Sequence, residues 1–409
     1  MSVSRASDGT RIGLCLSGGG FRAALYGLGV VRYLAEAGLL RRITAVSAVS
    51  GGSVAAAVLA DRWPAVTAAG HSLDVFQREV EAPFHAAVTE HNMRNEAIIG
   101  WIARRATFRG RSRGSAMGDV MVKRLLRARR VVDLDPALQV VLTATDLGTG
   151  RAFRVSRDFI GSYDFGYPPV PEALSLGQAV AASAAVPVLF PPVYLKTEGM
   201  GLRNAPELLS LVDGGVYDNL GLEWFQGWSS GRPDTAREVD FLVVVDGSGP
   251  LVHDQEPLTG LRPVVNRVRE IQYFQTRAAR IRWFVQQLLD KKMKGIYLVS
   301  KHDPRSFRFP DNTPIPEKFA AGSLPRGFAA ALASLRTDLD RFSSEEAELL
   351  RYHGYWSAHA RLASIAPELA INGAPRWREY ADIGEGEAQR LLDILAAGQN
   401  RRPRLRWPR

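Results

Sequence analysis

Ile12-Gly13-Leu14-Cys15-Leu16-Ser17-Gly18-Gly19-Gly20-Phe21-Arg22 opens on five uncharged residues and breaks into three glycines. A short apolar run stopped by glycine reads as a buried strand. Behind it, Leu25, Leu28, Val31 and Leu34 recur at helical spacing, which predicts a helix over 21–37 ending at Gly38. Gly27 and Gly29 weaken that helix and predict a closely packed neighbour. The order then comes round again. Residues 43–48 are a second apolar strand, Val49-Ser50-Gly51-Gly52 is a turn, and an Ala- and Val-rich helix is predicted over 52–60, stopping near Trp63-Pro64. Strand, loop, helix, strand, turn, helix implies parallel strands with right-handed crossovers, an α/β fold.

Outward from this core, residues 76–130 lack strand signals. They read as a helical insertion of about 70–130, with a Gly/Arg/Ser loop at 109–115, and form a candidate lid or membrane-facing element. A hairpin is predicted from strand 139–145 and its return 152–155, a small-residue helix over 176–185, and a short strand 210–212 running into Asp213. Residues 240–245 are the most hydrophobic strand and read as central. After Pro263 a long helix runs from 264 to about 294. Val268, Ile271, Phe274, Ala278, Ile281, Val285, Leu288 and Leu289 line one side of it. That stripe is read as core under a solvated basic face, in preference to a membrane-surface helix. Residues 295–300 form a last strand, and from 326 the pattern is helical, with Ser343 and Glu346 spaced as a capping box. No repeat or composition break precedes residue 400. One domain over 1–400 is expected (core about 10–300, helical extension about 326–400), with a basic tail at 401–409.

The 409 residues carry 52 Lys and Arg against 42 Asp and Glu, a net charge of +10, and the excess is clustered. Arg104 to Arg113, Lys123 to Arg130 and Arg401 to Arg409 form three basic runs, the last beside Trp407. No nucleic-acid-binding motif accompanies them, so nucleic acid is not expected, and an anionic membrane surface fits the first and third. No apolar run reaches the ~18 residues of a membrane span, and Arg5, Asp8 and Arg11 interrupt the N-terminus where a signal peptide would be apolar. A cytoplasmic or peripheral-membrane location is expected, with a signal-less export route left open. Cys15, the single cysteine, lies inside the first strand and reads as a core thiol. No histidine or cysteine pair has metal-ligand spacing; no metal and no cofactor is expected.

Two glycine-rich turns and one carboxylate carry chemical signals. The N–H groups of Gly18, Gly19 and Gly20 suit an anion, whether a dinucleotide, a phosphate or an oxyanion. No acidic residue ends the second strand, and no Gly-Lys-Ser/Thr follows. Ala48-Val49-Ser50-Gly51-Gly52 has the pattern of a nucleophile elbow, with alanine at its first glycine position. Ser50 also reads as a plain helix cap, and Ser47 and Ser53 lack the small neighbours an elbow needs. Asp213-Gly214-Gly215 is either a turn or a half-dry carboxylate able to take a serine proton. With no histidine beside any of these, the proton acceptor has to be a carboxylate.

Taken together, the blocks resemble the patatin-like phospholipases and the related catalytic domain of cytosolic phospholipases. The matching blocks are Gly18–Arg22, Val49–Ser53, Ala144–Leu147, Ala182–Pro192 and Asp213–Gly221, spread over roughly residues 10 to 250. The resemblance implies a three-layer α/β/α fold with a mainly parallel central sheet, and a lipid acyl hydrolase of the phospholipase A or lysophospholipase type. Ser50 is then the nucleophile, Asp213 its base, and Gly18, Gly19 and Gly20 the oxyanion hole. Arg22 neutralises charge beside that loop, and Gly52, Gly214 and Gly215 support the turns. Implied partners are a phospholipid or other lipid ester, an anionic membrane surface and, for some members, a protein activator. A catalytically idle lipid- or partner-binding protein of the same fold is the alternative. Ala48 in place of glycine is the one departure, and it bears on the tightness of the elbow.

Overall fold

The computed structural model describes residues 9–106, 113–187, 190–226, 239–251, 258–309, 311–399 and 401. Among them the strands β1 (Ile12–Leu16), β2 (Ile43–Val49), β3 (Gln139–Asp146), β4 (Ala152–Val155), β5 (Ile160–Gly161), β6 (Val193–Lys196), β7 (Leu208–Asp213), β8 (Phe241–Asp246) and β9 (Gly295–Val299) form one sheet. Its heart is parallel, in the spatial order β3, β2, β1, β8, β9. The remaining pairings are antiparallel: β3 with β4, β4 with β5, β3 with β7, and β7 with β6.

Helices cover both faces, as they must when parallel strands are buried on both sides. They are α1 (Gly20–Glu36), α2 (Gly51–Ala68), the insertion helices α3 (Leu73–Phe76), α4 (Ala82–Glu90), α5 (Met93–Ala106) and α6 (Arg113–Arg124), then α7 (Leu176–Ser183), α8 (Gly215–Asp218), α9 (Leu261–Leu289), α10 (Phe328–Ala333), α11 (Ser344–Ile365) and α12 (Glu385–Gln399). Side chains alternate across the pleat. Ile12, Leu14 and Leu16 of β1 join the large core beneath α1, α2, α7 and α11. Cys15 joins a second core with Val244, Trp224 and Phe284 of α9. Burial drives the Cys15 thiol pKa well up, which makes it an inert core group.

The close neighbour expected at Gly29 is α11, and the one at Gly27 is the Leu16 side chain of β1. A Cβ on Gly29 would lie 1.9 Å from the Arg351 carbonyl oxygen, and one on Gly354 would lie 2.1 Å from that of Tyr26. The Ser343–Glu346 capping box forms, with N–H to side-chain bonds of 3.1 and 2.7 Å.

Two expectations fail. α2 runs through Pro64 to Ala68, because Trp63 and Val66 are buried in the core and hold the turns beyond the proline. The stripe on α9 is not core along its length. Val268, Ile271, Val285 and Leu289 are exposed, while Phe284 carries the packing. Of the basic runs, Arg124, Arg127 and Arg130 are paired with Glu96, Glu79 and Asp133. The loop at 109–115 and the tail beyond 401 lie outside the described residues or their described side chains. Among the described residues no helix is long and apolar enough to cross a membrane.

Candidate active site

The site is made by a change of partner along β3. β2 pairs with β3 up to Val49 opposite Thr143. One residue further on, β7 takes over in the opposite direction, with Asp213 opposite Ala144. The residue that leaves β2 and the residue that ends β7 therefore meet at one joint. They are Ser50 and Asp213.

Ser50 sits between β2 and α2 at φ 53° and ψ −121°, backbone angles that side chains rarely adopt. Its side chain makes no capping bond to α2, so the plain helix-cap reading falls and the hydroxyl stays free. The turn is held from outside. The Ser50 N–H donates to Ser183 Oγ at 3.0 Å, and Ser183 Oγ donates to the Thr143 carbonyl at 2.6 Å. Ser53, buried, also contacts Ser183 at 2.8 Å, and Ser47 is buried in the strand. The elbow needs glycines for a visible reason. A Cβ on Gly51 would lie 2.0 Å from the Gly20 oxygen, and one on Gly52 would lie 2.3 Å from the Leu16 oxygen. Ala48 is accommodated, fully buried, between Leu16 and Leu142.

Asp213 is fixed through its own turn. Its Oδ1 accepts the Gly215 N–H at 2.7 Å, so the turn reading is realised. Its backbone carbonyl accepts the Thr145 hydroxyl and its N–H donates to the Ala185 carbonyl, each at 2.9 Å. A Cβ on Gly214 would lie 2.0 Å from the Thr143 oxygen, so only glycine follows Asp213 here. Burial pushes the carboxyl pKa up to about 6, while the Ser50 hydroxyl and the Gly215 N–H pull the other way. Oδ2 is buried with no bonded partner among the described residues, so Ser50 approaches the carboxyl without completing a hydrogen bond. Catalytic contacts are commonly loose before substrate binds. Ser50 and Asp213 are only 4% and 5% exposed, so the site is closed over.

The glycine loop divides its work. The Gly18 N–H, expected in the oxyanion hole, instead donates to the Asn219 carbonyl at 2.9 Å and is spent. Gly18 serves by lacking a side chain: a Cβ there would lie 2.3 Å from Asn219 Oδ1 and 3.1 Å from Ser50 Cβ. The N–H groups of Gly19, Gly20 and Gly51 find no protein acceptor among the described residues. Arg22 does not reach toward reacting atoms. It is buried and donates to the carbonyls of Gly247, Ala333 and Leu335, tying the loop to the β8 end and to the C-terminal end of α10. Burial lowers its pKa to about 10, with Tyr273 and Asp246 opposing.

Three residues that the sequence reading passed over belong to the site. Ser183 and Asn219 stand inside quoted blocks, but nothing local reveals their partners. Asn219 has both side-chain polar atoms buried without a partner, between the two glycine turns. Tyr273 of α9 lies against Gly215 and feels the Asp213 charge. Nothing in the sequence points from a helix sixty residues away to this spot. The root of α9 is held by Arg277, 3.5 Å from buried Asp246 and 2.7 Å from Ser248 Oγ. Of the histidines, His71, His85, His91, His302, His353 and His359 are placed and none is bonded to Ser50 or Asp213; His253 lies outside the described residues.

Residues 14–224, more than half of the chain, match the profile of the family described as patatin-like phospholipase. The chain belongs to the patatin-like phospholipase family. No curated protein sequence matches it. Among solved structures, human GIVD cytosolic phospholipase A2 in complex with methyl gamma-linolenyl fluorophosphonate is similar at a TM-score of 0.51 and 13% identity, over 94% of this chain and 60% of that one. VipD from Legionella pneumophila matches at a TM-score of 0.34 and 16% identity, over 95% and 74% of the two chains. The chain thus spans about 60% of the cytosolic phospholipase chain, and at this identity the likeness speaks for a shared α/β/α fold.

Proposed function

We propose that this protein is a lipid acyl hydrolase in which Ser50 and Asp213 act as a dyad. The observation that carries the reading is the joint on β3, where a strained, uncapped serine meets a buried carboxylate with one oxygen unpartnered. Ser50 Oγ attacks the acyl carbonyl as Asp213 takes its proton. A carboxyl pKa near 6 makes Asp213 a better base than an ordinary aspartate, yet leaves it ionised at neutral pH. The N–H groups of Gly19, Gly20 and Gly51, without a protein acceptor among the described residues, suit the oxyanion, and the Asn219 amide offers a further donor. The C–O bond to the alcohol breaks as Asp213 returns the proton to the leaving oxygen. Water, deprotonated by Asp213, then cleaves the Ser50 ester and releases the fatty acid.

The test is fatty-acid release from mixed phospholipid vesicles, followed by mass spectrometry. Ser50→Ala should lower the rate by about 10,000-fold or more, as loss of a serine nucleophile does, and a fluorophosphonate probe should label the parent chain at Ser50 alone. Turnover by Ser50→Ala near the parent rate would refute the assignment. A parent chain that neither reacts with the probe nor releases acid would favour a binding protein.

A further inference from the structure

α9 leaves the body of the molecule. Its second half is anchored by Arg277 and by Phe284, which is fully buried. Its first three turns are not. Leu258 just before the helix and Leu261, Val264, Val265, Val268 and Ile271 in it are all exposed, Leu261 at 81%. From Leu261 on, these side chains recur at i, i+3, i+4, i+7 and i+10, which at 3.6 residues per turn gathers them on one face about 120° wide. Arg267 and Arg269 stand at the two edges of that face. Glu270, the one acidic residue in these turns, is on the opposite side, 3.2 Å from Arg267. An aliphatic stripe flanked by arginines is the pattern of a helix lying in a lipid headgroup layer.

We propose that the first half of α9 is the surface by which this protein docks on an anionic lipid membrane. The inference rests on the lipid-hydrolase reading and names where that hydrolase meets its substrate. Three observations single out a membrane as the occupant. The arginine edges and the net charge of +10 complement anionic headgroups. A second copy of the chain packed on this stripe would bring Arg267 and Arg269 of both helices together. And the stripe begins beside the reaction site: Tyr273, two residues past Ile271, packs on Gly215 next to Asp213, and Leu261 lies about 18 Å further along the helix axis. A bilayer engaged by the stripe is therefore held by the same helix that touches the turn after Asp213.

The experiment compares the full chain with Val265→Asp/Val268→Asp and with Arg269→Gln. It measures flotation with phosphatidylcholine vesicles containing about one third phosphatidylserine, release of fatty acid from them, and turnover of a soluble short-chain ester. The aspartate pair should lower vesicle binding and vesicle hydrolysis together, by about tenfold or more, with soluble-ester turnover within twofold of the parent. Arg269→Gln, a milder change at an exposed position, should weaken binding in low salt and lose most of its effect in high salt. Vesicle binding by the aspartate pair equal to that of the parent would overturn the proposal. So would a parent dimer that the aspartate pair dissolves while vesicle binding stays unchanged, which would mark the stripe as a subunit contact. Soluble-ester turnover missing in the parent, with vesicle binding intact and sensitive to the aspartates, would sink the dyad and leave the docking surface standing.

Discussion

At the scale of single residues, the site carries two costs that the fold must offset. Ser50 holds backbone angles worth about 1–3 kcal/mol of strain. Asp213 buries a carboxylate whose pKa is raised from the ordinary 3.8 to about 6. Between those two values the native state holds the proton more tightly than the unfolded chain does. Stability therefore falls as pH rises through this window, and the full cost, up to about 3 kcal/mol, is present above pH 6. Asp213→Asn keeps an acceptor for the Gly215 N–H and removes the charge. It should unfold at higher denaturant concentration than the parent at pH 8, by about 1–3 kcal/mol, with the gain gone by pH 4. Denaturant melts at the two pH values read this directly, and a variant less stable than the parent at pH 8 would show the carboxylate to be well satisfied. Ser50 and Asp213 stood out as candidates in the sequence because small neighbours and turn glycines are local signals. The engagement of the Gly18 N–H was not, since its acceptor, the Asn219 carbonyl, is 201 positions away and leaves no periodic trace. For the same reason Arg22 reads as a charge donor in sequence and proves to be a tie between distant carbonyls.

At the scale of elements, the unit β1–α1–β2–α2 follows from local pattern, because its strands are short apolar runs that end at glycine-rich turns and α1 carries its apolar residues at helical spacing. Misreadings arise where tertiary packing overrides a local rule. The core holds α2 together past Pro64. On α9 the spacing correctly marks a face, but periodicity is blind to what covers a face, and over the first turns no described residue covers it. β5, two residues long, is too short to announce itself. The crossing of α1 and α11 was half legible: the glycines declare a close approach without naming the partner. Gly29→Ala sets a methyl against the rigid Arg351 carbonyl and should destabilise by about 3 kcal/mol, since two helices must part. Gly100→Ala, in α5 with open space around it, should be neutral or gain up to about 1 kcal/mol. Thermal melts of the two variants side by side make the comparison, and equal melting points would mean that the crossing yields at little cost.

At the scale of the whole molecule, the sheet, the loop tie and α9 act on one place. Arg22 links the glycine loop to the end of β8, Asp246 at that end binds Arg277, and α9 runs from Arg277 past Tyr273 to an apolar tip. α9 thus links the neighbourhood of Asp213 to an outward apolar face, and the proposed docking on a lipid layer uses that link. The proposed chemistry depends on Asp213 accepting the Ser50 proton. The most direct measurement is the pH dependence of kcat/KM for fatty-acid release by the parent and by Asp213→Asn. The parent should climb about tenfold per pH unit at low pH and level off above about pH 6, and the variant should lie lower by about 1,000-fold or more with that limb gone. A variant that keeps both the parent rate and the same limb would contradict the dyad.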